Sequence, residues 1–344
     1  MKAVLLHEHG GPETLVYADV EAPSPGPGEV QIEVRAIAMN RVDLWVREGW
    51  PGIRLEYPHV LGADAAGIVS ELGEGAAETG LAVGQRVAVN PTMSDGTCEF
   101  CRVGQDNLCP NFGILGEHLP GTYREVLVVP ARNVLPLPDH VTFETAAAAS
   151  LVYLTAWHSL VEKGQVQAGE TVLVVGAGGG VNTASIQIAR LKGATVYVVG
   201  SSDEKLARAE AMGADVLINR HKEDWSKAVF KLTERRGVDV VVDNVGQATW
   251  FSSIRALRKG GRILVVGNTS GPKFELDIRY IFGKHVSILG STMGTHQTFR
   301  TVMPLVFDGT LTPVVDKTFP LQEARAAHEY FNSGSLFGKV VLVP

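Results

Sequence analysis

The sequence predicts an α/β protein of two domains, one rich in β-strand and one a doubly wound parallel sheet of six strands. Two observations carry the prediction. Through about residue 130, short β-type runs are broken by Gly and Pro, as in EVQIEVRAIA, AAGIVSEL, QRVAVNP and YREVLVVP, which is the texture of a compact β domain. From Thr171 onward, uninterrupted β-branched runs (TVLVV, ATVYVV, DVLI, VDVVVD, RILVV and VSIL) alternate with helical segments. Strands buried on both faces read this way, and six of them joined by helices make a doubly wound sheet. At 344 residues, 45% apolar and 20% charged, the chain has the length of two domains or one large one and ample material for a core.

The elements follow in order. PSPGPGE, from Pro23 to Glu29, is a turn-rich segment inside the first domain and too short for a linker. AAAASLVYLTAWHSLV, from Ala146 to Val161, is too short for a membrane span and contains Ser150, Thr155, His158 and Ser159, so it reads as a buried helix. Helices are expected at 182–192, 203–212, 222–236, 249–258 and 278–283. Beyond Met293, helices at 297–307 and 321–332 and a last strand in GKVVLVP are expected to rejoin the first domain. The expected domains are therefore 1–150 with 293–344, and 151–292.

MKAVLLHEHGG has no signal-peptide core, so a cytoplasmic protein is expected. A net charge of -6 without a block of like charges argues against nucleic acid or a membrane as partner and leaves small molecules. The sixth strand, VSILGS, would end the sheet on an apolar edge, so a homo-oligomer, a dimer or tetramer, is expected.

In TVLVVGAGGGVNTASIQIARLKG, Gly176, Gly178, Gly179, Gly180 and Val181 lie between a strand and a helix. Backbone amides there can approach a pyrophosphate at the helix N-terminus. Strict G-x-G-x-x-G spacing fails, because Val181 and Asn182 stand where a third glycine belongs. The carboxylate that binds a ribose 2'-hydroxyl is also missing from the end of the second strand, where Gly200 stands. Ser201, Ser202, Lys205 and Arg220 would surround a 2'-phosphate, so NADP is favoured. Asp203 and Glu204 read as first-turn acids of a helix capped by Ser202, and Lys205 and Arg220 have solvated alternatives.

All three cysteines, Cys98, Cys101 and Cys109, fall in DGTCEFCRVGQDNLC. An odd number crowded into one segment favours a metal over disulfides.

Taken together, MKAV, GPETL, PGPGEVQIEV, GADAAGIV, the cysteine segment, SLVYLTAWHSL, the glycine turn, GGRILVVG and FGKVVLVP occur in the order of one family. End to end, the chain resembles the medium-chain dehydrogenase/reductase superfamily of zinc alcohol dehydrogenases and quinone oxidoreductases. The resemblance implies a GroES-like catalytic domain around a Rossmann domain, with substrate in the cleft between them. In the zinc enzymes the catalytic metal is held by a Cys after the IEV-type strand, a G-H-E turn and a further Cys or acid. Here Asn40 replaces the Cys, and Ala63 and Asp64 replace His and Glu, as in the zinc-free quinone oxidoreductase branch. Trp45 stands where that branch commonly has Tyr.

The structural-zinc lobe of the family, carried over by spacing, implies Asp95, Cys98, Cys101 and Cys109 as ligands; the alternative is a lobe that folds without metal. Asn40 is either a donor to the substrate carbonyl or a helix cap. Trp45 is a stacking surface or plain wall, and Asp43 a backbone brace or a proton carrier. By resemblance, Thr155 and Asn268 serve the nicotinamide end of the cofactor and Lys339 its phosphates, and Asn244 and Gly267 are further cofactor-binding candidates. The expected function is NADPH-dependent hydride transfer to a quinone, enone or related conjugated carbonyl without catalytic zinc. The alternatives are a zinc-type alcohol dehydrogenase and a non-catalytic NADPH-binding protein.

Overall fold

The computed structural model describes residues 1–344, which divide into two units, Met1–Leu154 with Thr295–Pro344, and Thr155–Gly294. In the first unit come β1 (Lys2–Leu6), β2 (Leu15–Asp19), β3 (Glu29–Ala38), α1 (Arg41–Glu48), β4 (His59–Val60), β5 (Asp64–Leu72), β6 (Arg86–Val89), β7 (Thr92–Met93), α2 (Glu99–Arg102), β8 (Gly113–Ile114), β9 (Val126–Pro130) and β10 (Val134–Pro136). Strand β3 is the spine of the main sheet. Val30, Ile32 and Val34 point into the core while Glu33 and Arg35 face solvent, the period-two pattern of a half-buried strand. It pairs antiparallel with β5 along its length and with β9 over Glu29–Glu33. From Ala36 to Ala38 the alternation gives way to full burial, and there the chain is delivered to α1.

Helix α3 (Phe143–Trp157) is apolar nearly all round and passes into a π-helical turn, His158–Lys163, so the expected buried helix ends in a wider turn.

The second unit holds β11 (Thr171–Val175), α4 (Gly180–Leu191), β12 (Thr195–Gly200), α5 (Asp203–Ala211), β13 (Val216–Asn219), α6 (Trp225–Leu232), β14 (Val238–Asp243), α7 (Trp250–Ala256), β15 (Leu257–Val265), α8 (Arg279–Lys284) and β16 (Ser287–Gly290). The sheet is wholly parallel, ordered β13-β12-β11-β14-β15-β16, so the strand order reverses between β11 and β14. Ligands of such sheets bind beyond the strand ends at that reversal.

Three details differ from the sequence expectation. Helix α6 is shorter than 222–236 because Asp224 caps it, accepting from the amides of Ser226 and Lys227, and because Glu234 and Arg235 turn left-handed at φ 50° and 68°. Helix α7 stops at Ala256, two residues early, where β15 begins. Strand β16 is an exposed edge and not a buried strand.

The chain then re-enters the first unit as α9 (His296–Phe307), β17 (Val315–Pro320), α10 (Ala324–Asn332) and β18 (Lys339–Val343). The expected helix 321–332 is a short 3-10 turn, Leu321–Glu323, followed by α10. Strand β18 pairs with β3 at Ile37 and Ala38, which brings the chain's last strand to the start of α1.

Candidate functional site

At the junction of β3 and α1, Asn40, Asp64 and Lys339 meet in the interior of the first unit, each 5% exposed or less. The Lys339 ammonium donates to Asn40 Oδ1 at 2.5 Å and to Asp64 Oδ2 at 3.0 Å. The Asn40 amide donates to Asp64 Oδ2 at 2.9 Å and to the Ala38 carbonyl at 3.2 Å. The other oxygen of Asp64 accepts from the Leu151 amide at 2.8 Å. Burial pushes the Asp64 carboxyl up, and Lys339 and Asn40 oppose it. An ammonium and a carboxylate this deep persist because each neutralises the other and both are hydrogen-bonded.

This arrangement bears on two expectations, and for Asn40, which stands at the N-cap of α1, it favours the second of the two alternatives. Asn40 has both amide hydrogens engaged by protein acceptors, so it organises the centre and has none left for a substrate carbonyl. Lys339, expected by resemblance beside the cofactor phosphates, is a buried ammonium paired with Asp64.

Asp43, in the first turn of α1, accepts the Asn40 backbone N–H at 2.8 Å and so braces the helix start. It is 1% exposed, and desolvation lifts its carboxyl to about 7. Tyr123, His328 and Arg47 extend from it as a buried polar line that sequence reasoning missed. One signal was readable: Ala324, Ala327, His328 and Phe331 form the apolar stripe of α10, and a histidine on such a stripe must find a polar partner inside. Trp45, on the same helix as Asp43, is half-buried.

In the second unit the glycine turn follows β11. Gly176 has φ 108°, a conformation L side chains rarely adopt, and a Cβ there would stand 2.5 Å from Asn182 Nδ2. Asn182 therefore substitutes for the third glycine by bracing the turn. Its amide reaches the Val175 carbonyl at 3.2 Å, and its oxygen accepts from Asn244 at 2.5 Å, tying the ends of β11 and β14 together. Gly178, Gly180 and Val181 are half-buried and Gly179 is exposed at the N-terminus of α4, where amides can meet a phosphate. Asp243, 1% exposed, holds the loop after β14 by accepting from the amides of Val245 and Gly246 and the hydroxyls of Thr249 and Ser253. The loop after β15, with Gly267 and exposed Asn268, is bonded to it through Thr269 N to Asn244 O and Ser270 N to Val245 O. Thr155 is buried, its hydroxyl 3.7 Å from Met293 Sδ.

At the end of β12, a Cβ on Gly200 would stand 2.7 Å from the end of the Leu206 side chain and 3.3 Å from Ala177, so a larger residue there requires Leu206 to shift. Ser201 is exposed. Ser202 caps α5 by accepting from the Lys205 amide at 3.3 Å. The Arg220 amide donates to the Gly200 carbonyl at 3.0 Å, which brings Arg220 beside the same strand end. The Asp203 carboxylate is engaged by Lys222 at 2.6 Å and Asn219 at 2.8 Å.

Asp95, Cys98, Cys101 and Cys109 converge in the first unit with their ligand atoms all within 4.8 Å of one another, the one such group of His, Cys, Asp and Glu in the chain. The set fits a tetrahedral zinc ion. One carboxylate and three sulfurs are ligand types zinc accepts, and backbone amides already point at the sulfurs: Cys101 N at Cys98 Sγ, and Asp95 N and Asn111 N at Cys109 Sγ. The amides of Thr97 and Cys98 and the side chain of Asn111 donate to Asp95 and hold its carboxyl well below the usual range.

Comparison with known proteins agrees with this geometry. Residues 26–139 match the family model described as the alcohol dehydrogenase GroES-like domain, and residues 180–308 match the zinc-binding dehydrogenase model. A solved structure described as an NAD-dependent alcohol dehydrogenase is 44% identical, with a TM-score of 0.95 and full coverage of both chains. The NAD-dependent alcohol dehydrogenase of Saccharolobus solfataricus is 32% identical over 100% of both sequences. The acryloyl-coenzyme A reductase of Metallosphaera sedula is 31% identical over 99% of both. The chain thus belongs to the medium-chain dehydrogenase/reductase superfamily of oxidoreductases, built from a GroES-like domain and a Rossmann domain.

Proposed function

We propose that the protein transfers hydride from NADPH to an electron-poor carbon of a quinone, an enone or a related conjugated carbonyl, without a catalytic zinc. One observation carries the reading: where the resemblance puts the ligands of a catalytic metal, the chain has an amide, a methyl group and a carboxylate already paired with an ammonium. Asn40 and Asp64 are held by Lys339 and by each other, and Ala63 has no donor atom. A zinc ion needs three free donors to stay in place. Alcohol oxidation develops an alkoxide, which a Lewis acid stabilises. A conjugated acceptor instead spreads the incoming charge over its own π system, so less is asked of the protein. A reduced nicotinamide cofactor, its pyrophosphate at the glycine turn, would supply the hydride. The chain's part is to orient: Gly176–Gly180 and the N-terminus of α4 take the pyrophosphate, and Trp45 offers a flat wall to a flat substrate.

The preference for NADPH rests on Gly200, which carries no acid to repel a 2'-phosphate, and on Ser201, Ser202, Lys205 and Arg220 around it. The second reading, NADH, is favoured by the names of the NAD-dependent relatives. Titration with both nucleotides separates them, and equal or tighter NADH binding excludes the first. Zinc in the lobe of Asp95 and the three cysteines would serve structure.

The deciding assay is steady-state turnover of a quinone and an enone against primary and secondary alcohols, with and without a chelator. Efficient, chelator-sensitive alcohol oxidation would establish the alternative, a zinc-type alcohol dehydrogenase.

A further inference from the structure

The polar line behind α1 has a fixed direction. Asp43 Oδ2 accepts from the Asn40 amide and, at 3.3 Å, from the Tyr123 hydroxyl. That hydroxyl lies 3.2 Å from His328 Nε2, and His328 Nδ1 lies 3.1 Å from Arg47 Nη1. A guanidinium only donates, so His328 Nδ1 accepts, and its hydrogen sits on Nε2. Tyr123 takes that hydrogen bond and gives its own to Asp43. Asp43, Tyr123, His328 and Arg47 are each 1% exposed or less.

Asp43 Oδ1 is buried with no partner. A carboxylate there would leave a charged oxygen unsolvated. A carboxylic acid, with Oδ2 as its carbonyl oxygen and the hydrogen on Oδ1, keeps both donors to Oδ2 and leaves a neutral hydroxyl, not a charged oxygen, without a partner. The charged and titratable groups around Asp43 are Arg47 from α1, Asp64 from β5, Lys339 from β18, Tyr123 from the segment before β9 and His328 from α10. Burial outweighs those that favour ionisation, in keeping with a carboxyl that titrates near 7.

We propose that Tyr123 and His328 are positioning residues: through Asp43 they hold the Asn40 turn in place, and with it Trp45 and the Asn40–Lys339–Asp64 centre. The kinetic consequence rests on the hydride-transfer reading; the structural claim does not.

The test uses the full-length protein with its metal content unaltered. The Asp43 titration is followed as the carbonyl band of a protonated carboxylic acid in infrared spectra, taken as the difference from Asp43→Asn. Tyr123→Phe removes a donor that favours the charged form, so the titration is expected to move to higher pH. His328→Leu removes the hydrogen bond that orients and polarises the Tyr123 hydroxyl, so a smaller shift in the same direction is expected. His328→Gln is expected to cause none, since its amide can accept from Arg47 and donate to Tyr123. The kcat for a conjugated carbonyl falls several-fold in the first two variants while nucleotide affinity is unchanged. An unmoved titration in both Tyr123→Phe and His328→Leu, or a kcat loss matched by an equal loss of nucleotide affinity, overturns the proposal. Inactivity toward every conjugated carbonyl contradicts the proposed reaction alone, and the infrared titration then decides the positioning role by itself.

Discussion

Asp64 is fully buried and has its charge balanced by one residue, Lys339. Lys339→Met leaves the carboxylate without its partner, and breaking a buried pair in this way costs about 3–5 kcal/mol. Denaturant unfolding is expected to show that loss, and Lys339→Met combined with Asp64→Asn should recover much of it. Two other buried groups give the stability a pH dependence of opposite sign. Burial, reinforced by Arg47, lowers His328 from 6.5 to about 3. The unfolded chain therefore takes up a proton that the folded one refuses, and stability present above 6.5 is lost as the pH falls toward 3. Asp43 is raised from 3.8 to about 7, so the folded chain keeps a proton that the unfolded one releases. Its contribution is full below 3.8 and is lost as the pH rises through 7. Measured as melting temperature against pH, Asp43→Asn should flatten the alkaline decline and His328→Gln the acid one.

The elements that carry the candidate site differ in how far their sequences disclosed them. The glycine turn and the cysteine lobe are short, and the physics that shapes them is local: φ 108° at Gly176, and four ligand residues within fifteen positions. For the lobe, elemental analysis is expected to give one zinc per chain, with Asp95→Ala and Cys98→Ser binding it more weakly; two tightly held equivalents would mean a site elsewhere. Ser202 at the start of α5 is legible in the same way, as a hydroxyl one residue before a run of helix formers. Ser202→Ala should cost about 1 kcal/mol by the usual worth of such a cap. If Ser202 also meets a 2'-phosphate, the substitution weakens NADPH binding and leaves NADH binding unchanged. Helix boundaries were less legible, because Asp224 and the left-handed pair Glu234 and Arg235 override the propensity of the residues around them.

For the molecule as a whole, β16 presents unpaired backbone on one side, Ile288 on it is 41% exposed, and Ile278 at the start of α8 and Phe282 within it are 67% and 65% exposed. We propose that a second copy covers this edge, since a bare strand edge flanked by apolar side chains invites pairing and a symmetric pair closes it. Light scattering at micromolar concentration is expected to give at least a dimer, and Ile288→Lys a smaller species. The sequence by itself determined the fold class, because hydrophobic period and β-branched runs are local and strong enough to place six parallel strands. It also named Asn40, Ala63 and Asp64 as unusual, because each falls in a recognisable segment. Their relation to one another was decided only by the tertiary structure. Lys339 reaches Asn40 across 299 residues and Asp64 across 275, and Tyr123 meets His328 across 205. No periodicity encodes such partners. They are fixed when β18 pairs with β3 and α10 packs beneath it, and burial then requires every polar group brought inside to find a counterpart.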